Sequence, residues 1–158
     1  MATLPRETIS IIRHLQSKNI DPLLYGSQGV SLYLGSFKPF GDVDLLIADG
    51  LLHAEWPLLQ QIMNQAGFKL HDEREHEFSN DDGQSVGFAS ENILLKDKII
   101  ENMSAVVSIT VSDVRVRTLD IAGFKRAYEF SVKDGYRKDV RNKKDEYIIS
   151  LIQRYIDS

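Results

Sequence analysis

The chain has 158 residues, no cysteine and a formal net charge of −4, with 42% hydrophobic and 27% charged residues. That length can bury a sizeable core in one domain, and a chain without cysteine has neither a disulfide framework nor a thiolate zinc site. The acidic balance argues against a broad nucleic-acid surface, and no stretch approaches the roughly 20 apolar residues of a membrane span.

A first helix is expected over Pro5–Lys18, where Ile9, Ile12 and Leu15 recur at helical spacing beside Ile11 and Pro5 suits the first turn. His14 reads as a residue of its solvent face. After a turn at 19–22 comes a short apolar strand, Leu23-Leu24-Tyr25, which ends in Gly26-Ser27. Ser27 reads as the N-cap of a helix over Gln28–Leu34, and Gly26 lets a ligand approach the backbone. A helix N-terminus with free N–H groups is an anion site. In the loop Phe37-Lys38-Pro39-Phe40-Gly41 the rings read as packing and Lys38 as solvated, with reach to a phosphate as its sharper alternative. Asp42-Val43-Asp44 then leads into a buried strand, Leu45-Leu46-Ile47. Residues two apart in a strand share a face, so the two carboxylates project together, and a divalent cation relieves their repulsion. Alone, Asp-x-Asp also fits a solvated strand entrance. The neighbouring Gly-Ser turn adds a phosphate cradle, and the two together are the parts that a nucleoside triphosphate with Mg²⁺ requires.

The next helix is expected over Leu51–Ala66, with Trp56, Leu59, Ile62 and Met63 as its buried stripe, a regular start near Pro57 and Gly67 as its end. A hairpin should follow, Phe68–Phe78 returning as Ser85–Ala89 around Asn80-Asp81-Asp82-Gly83. His71 and His76 have opposite strand parity and read as partly exposed strand residues, not a metal pair. Residues 91–104 are mixed, with a short helix or loop around 94–100. Ala105–Val111 and Val114–Thr118 read as strands joined at Ser112-Asp113. Asp120 would cap a helix through Phe124, Tyr128 and Phe130 that Gly135 closes. A last helix is expected over Lys144–Ile156, with Ile148, Leu151, Ile152 and Tyr155 at helical spacing. Residues 133–145 are the most basic stretch, holding Lys133, Arg137, Lys138, Arg141, Lys143 and Lys144; its plain reading is a solvated run between helices.

The order apolar strand, Gly26-Ser27, helix and Asp42-x-Asp44 resembles the nucleotidyltransferase superfamily, whose fold is shared with polymerase beta. Gly29, Tyr33-Leu34-Gly35, His76-Glu77-Phe78, Val86-Gly87-Phe88, Lys133-Asp134 and Lys144-Asp145 are similar to a small bacterial subgroup of uncharacterised nucleotidyltransferase-like proteins. The resemblance implies an α+β fold, a mixed β-sheet flanked by helices, as a single domain over 1–158 with its core over 20–120 and C-terminal helices over 120–158. It implies one or two Mg²⁺ ions, a nucleoside triphosphate substrate, and transfer of a nucleoside monophosphate, expected to be AMP, to a hydroxyl of a small-molecule or protein acceptor. By the same resemblance Gly26 and Ser27 hold the β- and γ-phosphates, Asp42 and Asp44 bind the metal, and Lys144 or Lys133 touches the triphosphate.

A third acid completes the family's set. In lincosamide-type relatives it lies on the return strand of the hairpin, where this chain has Gly87. Glu77, across the hairpin, is expected to stand in as catalytic and metal-binding acid, with Glu91 and Glu75 as the other candidates. The departure at Gly87 keeps a second reading open, a non-catalytic binding module on the same fold such as an antitoxin-type partner. A glycosyltransferase also uses Asp-x-Asp with a metal but would need a longer chain, and no Walker loop is present. A cytoplasmic location is expected and a homodimer is compatible with the length. The acceptor and the base preference are not written in the chain.

Overall fold

Among the described residues, seven short strands make one mixed sheet in the order β3-β4-β5-β2-β1-β7-β6. In this computed structural model residues 3–35, 37–39, 41–133 and 140–158 are described, with the backbone alone at 140–142. Phe40, Asp134, Gly135, Arg137, Lys138 and the Arg141 side chain thus lie outside the described residues. The strands are β1 (Leu23–Tyr25), β2 (Val43–Ile47), β3 (Lys69–Asp72), β4 (Glu77–Ser79), β5 (Ser85–Ser90), β6 (Val106–Val111) and β7 (Val114–Leu119). The helices are α1 (Arg6–Ser17), α2 (Gly26–Leu34), α3 (Trp56–Gln65), the single turn α4 (Ile93–Lys96), α5 (Ile121–Lys133) and α6 (Val140–Asp157). β2 runs parallel to β5 and β1 parallel to β7, and the remaining pairs are antiparallel. The α+β arrangement expected from the sequence is the one observed.

The apolar pattern places the layers. β2 is covered on both faces, and Val43, Leu45, Leu46 and Ile47 are all buried. Val43, Leu45 and Ile47 pack with Ile9, Ile12 and Leu15 of α1 and with Leu59, Ile62 and Met63 of α3. Leu46 packs the other way, with Leu23, Val30, Phe124 of α5, and Ile148 and Ile152 of α6. Burying each such side chain contributes roughly 1.5–3 kcal/mol. Asp44 is in step with Leu46, so it points to the face that α5 and α6 cover. α2 touches both layers, Leu32 packing with the first cluster and Val30 with the second.

The structure corrects several expectations. α2 begins at Gly26 with extended Tyr25 at the cap position, and no side chain caps it. Gly26 itself makes the reversal from strand to helix, at φ +61°, so Ser27 sits inside the first turn, 7% exposed, and is not the N-cap. The strand expected over Phe68–Phe78 is two strands, β3 and β4, parted by a turn. Asp72 Oδ1 accepts the Glu75 N–H at 3.2 Å and His76 takes φ +52°; a local Asp turn in a charged stretch outcompetes the ladder. His76 is therefore not a strand residue, and its ring stands edge-on to Trp56 at 4.9 Å. Glu75 lies exposed in that turn, outside the strand that carries Glu77. His14 is half-buried and its Nε2 donates to the Ile62 carbonyl at 2.9 Å, which ties α1 to α3. Asp120 does cap α5, accepting the Gly123 N–H at 2.7 Å.

Candidate active site

The site grows from one line of residues across the sheet. Tyr25 pairs with Asp44, Asp44 with Gly87, and Gly87 with Glu77. Directly paired residues share a face, so Asp44 and Glu77 flank a position that has no side chain. With strands 4.7–4.9 Å apart, their backbones stand roughly 10 Å from each other.

Asp44 lies against the strand–helix corner. A Cβ built on Gly26 would overlap Asp44 Oδ2 and stand 3.1 Å from its Cγ. The carboxylate thus rests on the one residue there that leaves room for it, beside the N–H groups that open α2. Asp42 precedes β2 by one residue, and both aspartates are exposed around buried Val43. The loop before them is held from below. Gln28, 4% exposed, donates from Nε2 to the Gly41 carbonyl at 3.4 Å and accepts the Thr8 hydroxyl at 2.6 Å. Ser31 donates to the Gln28 carbonyl at 2.6 Å.

Tyr25 closes one side of the site. Its ring packs 6.1 Å from that of Phe124. Burial pushes its phenol well above the ordinary tyrosine value, and the negative charges of Asp97 and then Asp44 push it further. The phenol therefore stays protonated, with both carboxylates in electrostatic reach. Asp97, at the end of α4, was not marked by any spacing in the sequence.

The structure brings Gly26, Ser27 and Asp44 to one corner, sets Asp42 at the head of the same strand and puts Glu77 in the same row. It separates Glu91 from them. β5 runs parallel to β2, so Glu91 lies beyond the Ser90–Ile47 pair at the far end, roughly 13 Å along the strand from Gly87. Its N–H donates to the Ile47 carbonyl at 2.8 Å and its carboxylate pairs with Arg117 at 3.5 Å. Lys144 on α6 and Lys133 at the end of α5 are exposed. Asp145, beside Lys144, is buried and accepts the Ser131 hydroxyl at 2.7 Å, joining α6 to α5.

Among the described residues no group of three His, Asp or Glu is gathered closely enough to hold a metal. The donor chemistry of Asp42 and Asp44 nevertheless fits Mg²⁺, which takes hard oxygen ligands and is commonly held by one or two carboxylates together with substrate phosphates.

No protein-family model matches the chain. It is 29% identical over 163 residues to the uncharacterized protein YnaI of Bacillus subtilis (strain 168), an alignment that covers 97% of each. Among solved structures, the antibiotic-resistance factor ANT(2'')-Ia superposes with a TM-score of 0.67 at 12% identity, covering 95% of this chain and 82% of that one. The lincosamide antibiotic adenylyltransferase LnuA, in its lincomycin-bound form, gives 0.65 at 12% identity, with 98% and 99% covered. The fold is that of the nucleotidyltransferases. At such identities it is the shape that is shared, and the nucleotidyltransferase sheet here carries Gly26 and Asp44 at one end and the Glu91–Arg117 pair at the other. Among the described residues no helix is long and apolar enough to cross a membrane.

Proposed function

We propose that the protein transfers a nucleoside monophosphate, AMP, from a nucleoside triphosphate to an acceptor hydroxyl with the help of Mg²⁺. The observation that carries this reading is the Asp44 carboxylate lying on the Gly26 corner at the start of α2. One place then offers N–H groups for a phosphate and a carboxylate for its cation. LnuA, an adenylyltransferase, supports the reaction class through a likeness of shape over nearly the whole chain.

In this reading Gly26 and Ser27 receive the β- and γ-phosphates, and Lys144 meets the triphosphate. Asp42 and Asp44 hold Mg²⁺, and Glu77 adds a third carboxylate across Gly87. Bound Mg²⁺ would neutralise charge on the phosphate oxygens. The chain itself mainly holds the α-phosphorus in line with the hydroxyl. The acceptor oxygen bonds to the α-phosphorus, the bond to the bridging oxygen breaks, and pyrophosphate leaves with that electron pair. The hydroxyl proton passes to a carboxylate or to water. Tyr25, protonated beside Asp44, keeps one wall of the site neutral.

ATP and Mg²⁺ together should raise the melting temperature more than either alone, and Asp42→Asn/Asp44→Asn should erase the gain. An unchanged gain removes the metal assignment. Gly87, standing where the family pattern places an acid, favours a second reading, a binding module without catalysis such as an antitoxin-type partner. Pyrophosphate release across a panel of hydroxyl acceptors separates the two, since the module stabilises with nucleotide and releases nothing.

A further inference from the structure

A hollow of about 960 Å³ opens between the last turn of α2, residues 37–39 and 41, and α6. That is the size of a small-molecule site, about 300–1,000 Å³. Its wall includes the rings of Tyr33, Phe37, Tyr147 and Tyr155 and two cations, Lys38 and Arg154. Among the described residues neither cation has a hydrogen-bond or ion-pair partner, and no carboxylate lines the hollow. In a chain of net charge −4, this is a local reversal of sign. The wall is braced, because the Tyr33 hydroxyl donates to the Leu119 carbonyl at 2.6 Å and its ring stands edge-on to Tyr155 at 6.1 Å.

The position matters as much as the lining. Gly41 borders the hollow and is followed directly by Asp42, so a molecule held there lies against the segment that leads into the first of the two aspartates. The corner at Gly26 lies at the other end of α2, whose nine residues span about 13 Å. A triphosphate on that corner leaves the hollow free for a second molecule. Aromatic walls favour a flat ring, and two cations with no facing carboxylate attract an anion and repel a polyamine.

We propose that this hollow is the acceptor site, and that it takes a ring compound carrying a hydroxyl and a carboxylate or phosphate; the proposal rests on the nucleotidyl-transfer reading. Ligand-observed NMR on the full chain without nucleotide tests it, using para-hydroxybenzoate, its uncharged counterpart para-hydroxybenzamide, and the polycation kanamycin. The benzoate should bind, the amide at least about tenfold more weakly, and kanamycin not at all. Lys38→Met/Arg154→Met should abolish the preference for the anion while leaving the melting temperature and the stabilisation by ATP and Mg²⁺ as they were. Saturating ATP and Mg²⁺ should leave the benzoate bound.

Equal binding of benzoate and amide, tighter binding of kanamycin, a preference that survives the double variant, or no binding in the millimolar range would each overturn it. Displacement of the benzoate by ATP would also do so, since the hollow would then belong to the nucleotide. Asp42→Asn/Asp44→Asn bears on the transfer reading alone and should leave benzoate binding intact. A failed nucleotide effect beside intact benzoate binding would remove the transfer reading and leave the hollow as an anion site.

Discussion

At position 26 two demands coincide. The backbone takes φ +61°, and the space a Cβ would fill holds the Asp44 carboxylate. Gly26→Ala should therefore strain the turn and displace the aspartate together, costing about 1–2 kcal/mol for the backbone alone. Thermal unfolding should show the loss, and stabilisation by ATP and Mg²⁺ should vanish with it. Nucleotide stabilisation that survived would mean that Asp44 does not act from this corner. Gly29 offers the contrast. A Cβ there would overlap the Phe124 ring and stand 2.9 Å from the Leu24 carbonyl oxygen. Gly29→Ala should thus cost about 1–3 kcal/mol by overpacking, while the folded fraction still responds to ATP and Mg²⁺. Both glycines stand out in the sequence. What each one meets does not, because Asp44 and Phe124 arrive from other elements.

At the scale of elements, the row Tyr25–Asp44–Gly87–Glu77 belongs to the strands and their register. A Cβ on Gly87 would lie 3.7 Å from Asp44 Oδ1, an ordinary contact. Gly87→Ala should therefore stabilise by about 0.5–1 kcal/mol by removing the entropy cost of a strand glycine. Gly87→Asp sets a like charge beside Asp44 and should be less stable than Gly87→Ala in the absence of metal. Mg²⁺ alone should then raise its melting temperature more than it raises that of the unmodified chain. An equal response would show that this row does not build a metal site. Part of the row was legible in the chain. Alternation set Asp44 in step with Leu46, and the Asn80–Gly83 turn put Glu77 across from Gly87. The Asp72-led turn that removed Glu75 was hidden, since a local side-chain bond decided it against strand propensity. So was the fate of Glu91, which depends on β5 running parallel to β2. Asp97 comes to the site only through the packing of α4 against the α5–α6 layer, a long-range contact that no local spacing encodes.

For the whole molecule, one buried phenol, Tyr25, and one half-buried phenol, Tyr33, set a stability limit at high pH. Burial raises Tyr25, helped by Asp97 and Asp44. Burial, with Asp120 and Tyr155, holds Tyr33 up to about 12 against an ordinary 10.0. Below pH 10 both phenols are protonated in the folded and the unfolded chain, so they give no slope. As the pH rises from 10 toward 12 the unfolded chain releases protons that the folded chain keeps, and stability falls. Melting temperature against pH should show this alkaline decline, and Tyr25→Phe should make it shallower. A slope unchanged in that variant would mean the phenol is not its source.

α1, α2 and the segment ahead of Asp42 are joined through Gln28, whose side chain takes the Thr8 hydroxyl from α1 and gives a hydrogen bond to the Gly41 carbonyl. Because Thr8 is fully buried, removing the amide leaves its hydroxyl without an acceptor, while the exposed Gly41 carbonyl turns to water. Gln28→Leu should cost about 1–3 kcal/mol in urea unfolding. Thr8→Val added to it should cost less than the two single changes summed, because the orphaned hydroxyl leaves with it. Stabilisation by ATP and Mg²⁺ should fall in Gln28→Leu and stay low in the double variant, since the second change repairs the core but not the tether on Gly41. Additive stabilities would show that Thr8 and Gln28 are not coupled. Full nucleotide response in both variants would show that the loop holds Asp42 in place without the amide.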